Sequence, residues 1–95
     1  MISERGGQLT HEAAELLAVD ALSFLAITPD ALGRFLALSG IGPTMLRAAA
    51  AEPAFLAGVL DFFLSDERLL VSYAEQAGIP ATRIAHARRA LGDAG

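Results

Sequence analysis

Twelve consecutive residues, Pro53 to Leu64 (PAFLAGVLDFFL), constrain this chain more than any other stretch, because they concentrate Phe55, Leu56, Val59, Leu60, Phe62, Phe63 and Leu64 in three helical turns. Proline suits the first position of a helix, and the segment that follows contains no breaker, so one helix is expected over 53–64. On a helical wheel only Ala54, Ala57, Gly58 and Asp61 are left to face water. A helix that is apolar over so much of its circumference has to be enclosed by other helices. Burying the seven large side chains is worth roughly 10 to 20 kcal/mol gross, and ordering the backbone costs about as much, so the segment cannot stand alone.

The remainder of the chain reads as packaging for that helix. Its 95 residues allow one hydrophobic core and one domain, read here as 10–92 behind a frayed tail at 1–9. Hydrophobic residues make up 54%, with mean hydropathy +0.47. Alanine inflates both figures, and what remains implies either a dense Leu/Phe core or apolar surface that meets a partner. Thr10 is a candidate cap for a helix running to about Ile27, with Ala13, Ala14, Leu17, Ala18, Ala21, Phe24 and Leu25 on its inner side. Asp20 falls at the margin of that side and is expected to pair with an arginine. Thr28-Pro29-Asp30 caps and starts a second helix that turns Leu32, Phe35, Leu36 and Leu38 inward, with Gly33 tolerated where a neighbour comes close. Gly40 ends it, Ile41 returns to the core, and Gly42-Pro43 opens a third helix that offers Met45, Leu46, Ala49 and Ala50.

Beyond the central helix, Ser65 is the expected cap of a fifth helix with Leu69, Leu70, Tyr73, Ala74 and Ala77 inward. Gly78 stops it. A last helix is expected from about Ala81 to Leu91, burying Ile84, Ala87 and Leu91, with Arg88 and Arg89 at its negative end. Helices this short, joined by tight Pro/Gly turns, specify an all-α fold, a compact orthogonal bundle of five to six short helices.

Charge and composition exclude more chemistry than they suggest. With no cysteine, the chain has no disulfide, no thiolate nucleophile and no thiolate metal ligand. Net charge is −4, divided into −6 over residues 1–78 and +2 over 79–95. The apolar runs are broken by Glu12, Glu15 and Asp20 or by glycine and proline, which argues against a secretory leader or a membrane span of roughly 18 residues. A cytoplasmic protein is expected. The run His11-Glu12-Ala13-Ala14-Glu15 has a glutamate where a zinc peptidase helix places its second histidine, so no metal and no cofactor is expected. No serine or threonine outside the caps has an adjacent base, and an enzyme is not expected.

Two surface features remain. Leu38-Ser-Gly-Ile-Gly-Pro-Thr-Met-Leu-Arg-Ala48 resembles the hairpin of helix-hairpin-helix nucleic-acid-binding modules, in which Gly40, Ile41 and Gly42 would let backbone amides hold a phosphate with Arg47 nearby. The first turn after the hairpin carries Thr44 and Met45 instead of a basic residue, and the surroundings are acidic, both of which oppose nucleic-acid binding. Ala54, Ala57, Gly58 and Asp61 form a stripe at i, i+3, i+4, i+7 where a helix can come close, either the first helix of the same chain or a second copy in a homodimer.

The segment LGRFLALSGIGPTMLRAAAAEPAFLAGVLDFFLSDERLL, Leu32 to Leu70, with the preceding ALSFLAITPDA, resembles a small alphaproteobacterial family known only as a domain of unknown function. The similarity extends from about Ala13 to Leu91. It implies an all-helical cytoplasmic bacterial protein of about this length, and it brings no activity, cofactor or catalytic residue with it. Together these features lead to the expectation of a noncatalytic protein-interaction module, acting on a protein partner or as a homodimer, with phosphate or nucleic-acid contact at the Gly-Ile-Gly turn as the alternative.

Overall fold

A computed structural model describes residues 9–92. The 1–9 tail expected from the sequence lies outside the described residues except for Leu9, which packs against the core. Six α-helices follow in order: α1 (His11–Ala26), α2 (Pro29–Ser39), α3 (Leu46–Ala49), α4 (Pro53–Leu64), α5 (Glu67–Ala77) and α6 (Ala81–Leu91). A 3-10 turn at Pro43–Met45 precedes α3. No strand occurs among the described residues, and the fold is an all-α globule in which α1 and α2 meet at a bend of 116°. No single helix among them is long and apolar enough to cross a membrane.

The helix ends follow from local chemistry. Thr10 caps α1, its hydroxyl oxygen accepting from the Ala13 amide at 3.0 Å. Thr28 precedes Pro29 as expected, yet its hydroxyl turns back and donates to the Phe24 carbonyl at 2.8 Å, so it closes α1 instead of capping α2. Gly40 (φ 78°) and Gly78 (φ 72°) end α2 and α5 in the left-handed conformation that residues with a Cβ rarely adopt. The cap of α5 is Asp66, one residue beyond the expected Ser65. Its carboxylate accepts from the Leu69 amide at 3.1 Å, whereas Ser65 closes α4 with its hydroxyl on the Phe62 carbonyl at 2.9 Å.

The central helix is enclosed as its composition requires. Leu56, Ala57, Val59, Leu60, Phe62 and Phe63 are buried, and α1, α4 and α6 make the most extensive mutual contacts in the molecule. The core is alanine-rich on the α1 side, where Ala14, Ala18 and Ala21 are fully covered and allow close helix approach. Leu22, to which the wheel gave no role, joins them. Phe63 and Tyr73 meet with ring centroids 5.4 Å apart, and Phe24 contacts both at 6.3 and 5.4 Å. Apart from the Tyr73 phenol, no polar or charged side chain among the described residues is buried.

Several side chains sit elsewhere than expected. Asp20 pairs with no arginine among the described residues and instead accepts from the Tyr73 hydroxyl at 2.7 Å, which places the acid at the rim of the aromatic cluster. Burial, followed by this bond, holds the Tyr73 phenol well above its ordinary value. Met45 is exposed, and Ile41 is only half-buried and outside the core cluster, because the short 3-10 and α3 turns run over the surface; Ala77 is exposed as the last residue of α5. Nothing approaches Gly33 closely.

Two consequences follow for stability. Phe63→Ala should cost about 3 to 5 kcal/mol in chemical denaturation, since the ring is completely enclosed. Gly33→Ala should stabilise by about 0.5 to 1 kcal/mol in the same assay, because the added methyl meets no atom and the helix loses its most flexible interior residue.

Candidate functional site

A groove of about 510 Å³ lies between α2 and α4, lined by Phe35, Leu38, Ser39, Ala54, Phe55, Gly58, Asp61, Phe62 and Ser65. Its origin is steric. The Phe35 ring stands between the two helices, edge-on to Phe55 at 5.5 Å and to Phe62 at 5.3 Å. With phenyl rings as spacers, the backbones of α2 and α4 make few close approaches and a trough stays open between them.

Two ionic contacts flank the C-terminal end of α4. Arg34 of α2 donates to Asp66 at 3.1 Å, and its guanidinium carbon lies 5.5 Å from the centre of the Phe62 ring, which ties α2, α4 and the start of α5 together. Asp61 accepts from Arg88 Nε at 2.8 Å, and Arg88 also donates to the Gly92 carbonyl at 2.7 Å, satisfying the negative end of α6. Both pairs are solvent-exposed, and such pairs contribute about 0 to 1 kcal/mol each. They orient helices more than they stabilise them.

Three of the four residues in the small-residue stripe, Ala54, Gly58 and Asp61, line this groove. Ala57 does not. It is 4% exposed and belongs to the core, because α1, α5 and α6 crowd α4 over more of its circumference than a wheel built from large side chains allows for. The stripe therefore faces an open trough beside α2, not the first helix. Leu38, expected inside, is 77% exposed on the trough's rim, since α2 reaches Gly40 before another element covers it. Phe35, Leu38, Phe55 and Phe62 are the apolar lining residues that the stripe reading missed, beside Ser39 and Ser65. Their helical spacing signalled burial equally well, and only the tilt of α2 against α4 decides which of them stay accessible.

The turn at Gly40, Ile41 and Gly42 joins α2 to the surface of the domain. Gly40 is left-handed, Gly42 is extended (φ −89°, ψ 163°), and the Met45 amide donates to the Gly42 carbonyl at 3.0 Å. Arg47 is exposed in the last turn of the four-residue α3. Elsewhere His11 and Glu15 approach to 3.6 Å on the open face of α1, and no group of three metal-ligating side chains comes together among the described residues.

Fold and site define a small all-helical domain with an apolar surface groove. Residues 11–94 match the family model described as protein of unknown function (DUF3572), and the chain belongs to that family. No curated protein and no solved structure matches it.

The Asp66 cap of α5 carries a pH dependence. Asp66 is held below its ordinary value of 3.8, chiefly by the Leu69 amide; desolvation, the next effect in size, opposes this, and Arg34 adds to the lowering. A depressed carboxylate stabilises the fold above its unfolded value and ceases to do so as pH falls through the folded one. The wild-type melting temperature should therefore drop as pH is lowered below about 4, and the drop should be shallower in Asp66→Asn, which retains a capping oxygen but does not titrate.

Proposed function

We propose that this chain is a noncatalytic protein-interaction module whose α2–α4 groove receives an apolar segment of a protein partner. The observation that carries the reading is the groove itself, floored by Phe35, Phe55 and Phe62 and bordered by the exposed Leu38. A small-molecule site of this size usually aims a few enclosed polar groups at its ligand. Here no buried polar side chain is available for that role among the described residues, which favours a partner recognised by shape and apolar area. A cytoplasmic setting in a bacterium belongs to the same proposal and rests on the family resemblance and the composition.

Phosphate contact at Gly40, Ile41 and Gly42 with Arg47 is the second reading, favoured by the left-handed Gly40 between two helical segments. The two part in a salt titration. Retention on DNA at low ionic strength, lost on adding salt and in Arg47→Glu, would carry the second reading and displace the first.

A photo-crosslinking amino acid in place of Leu38 tests the first directly. A discrete protein adduct is expected at position 38 and none with the crosslinker at the exposed position of Glu75, which lies outside the groove. Leu38→Asp should abolish partner binding in solution and leave the melting temperature unchanged, since this side chain contributes almost nothing to the core. Equal labelling at both positions would remove the groove from consideration.

A further inference from the structure

We propose that the occupant of the α2–α4 groove is an amphipathic helix that lays apolar side chains over Phe35 and Phe55 and brings an arginine or lysine to Asp61 and Ser65. This rests on the reading of the groove as a protein-docking surface and specifies the chemistry of what docks there.

The polar side chains of the lining point to it. They are three, Ser39, Asp61 and Ser65. The Ser39 hydroxyl donates to the Leu36 carbonyl at 3.3 Å and the Ser65 hydroxyl to the Phe62 carbonyl at 2.9 Å, so their protons are engaged and their lone pairs are left over. Asp61 accepts from Arg88 through Oδ1, while Oδ2 has no hydrogen-bond partner among the described residues. Every polar side chain in the trough thus offers acceptors and no free donor. Asp61 and Ser65 are one helical turn apart on the same face of α4, a spacing a single guanidinium or ammonium group can serve together. The last turns of α2 and α4 contain no basic residue, so nothing on those turns competes for the acceptors.

The backbone supports a helix as the form of the occupant. Ala54 and Gly58, one turn apart, leave α4 low along the trough, and a Cβ added at Gly58 would meet nothing within 4 Å. The chain has no internal need for glycine there, and an approaching helix does. A second copy is disfavoured on the same chemistry. Two-fold pairing of groove against groove would bring acceptors and no basic side chain to acceptors, on molecules that each carry −4.

A display library of helical peptides, randomised on one face and selected on the intact protein, tests this. Selected peptides should combine apolar residues at i, i+3, i+4 and i+7 with an adjacent arginine or lysine, and acidic residues should be depleted. Their affinity should fall about tenfold on Asp61→Ala. It should fall further on Gly58→Leu, whose own melting temperature establishes that it folds. Arg88→Ala should leave binding intact or strengthen it, because it frees Asp61, whereas a merely structural Asp61–Arg88 pair would make the two variants equally weak.

Peptides with no basic preference that Leu38→Asp still blocks would overturn this inference and leave the groove as a docking site. Peptides indifferent to both Leu38→Asp and Asp61→Ala would overturn both. A dimer in sedimentation equilibrium that Leu38→Asp dissociates would make a second copy the occupant, contrary to the inference, and would retain the interaction reading.

Discussion

The enclosure of Phe63 is the contact on which the rest of this structure depends. The ring is fully buried and meets Tyr73 of α5 and Phe24 of α1, so one side chain joins three helices that are distant in sequence. No internal ionic network among the described residues shares the task. The charged pairs are on the surface, and apart from the Tyr73 phenol the described core holds no polar side chain. Apolar burial and edge-to-face aromatic packing therefore carry the fold, with the Tyr73–Asp20 hydrogen bond setting where the cluster stops and water begins.

The groove follows from the same economy of elements. α1, α5 and α6 cover most of α4, leaving one side to α2. An eleven-residue α2 that stands off on the Phe35 ring cannot close that side, and Phe55, Gly58 and Leu38 stay accessible as a result. Arg34, stacked near Phe62 and bonded to Asp66, fixes the stand-off geometry. A concavity held open by aromatic spacers is a property of the folded core of the single chain.

The parts of this architecture that could be read in advance are those governed by local chemistry. Pro53–Leu64 and Ala81–Leu91 are helices with the bounds their proline, glycine and apolar periodicity imply, and Gly40 and Gly78 stop helices by adopting the backbone angles glycine alone reaches easily. The inward faces of α5 and α6 also agree for Leu69, Tyr73, Ile84, Ala87 and Leu91. Departures cluster where two elements compete for one residue. Thr28 serves the helix behind it, Ser65 yields the α5 cap to Asp66, and Asp20 meets a tyrosine hydroxyl because its turn of α1 lies over α5 and not beside an arginine.

The candidate site divides along the same line. Ala54, Gly58 and Asp61 were legible as a face of small and polar residues, since spacing within one helix sets their common direction. That Ala57 leaves this face for the core, and that Leu38 leaves the core for the rim, depended on how α1, α2, α5 and α6 pack around α4. The amino-acid order by itself determined five to six short helices, their glycine stops and the need to bury one of them, because propensity, capping and hydrophobic periodicity act over a few residues. Which side of the buried helix remains open, and with which acceptors along it, was decided only in the tertiary structure, where crossing angles and ring-sized spacings between distant segments are set.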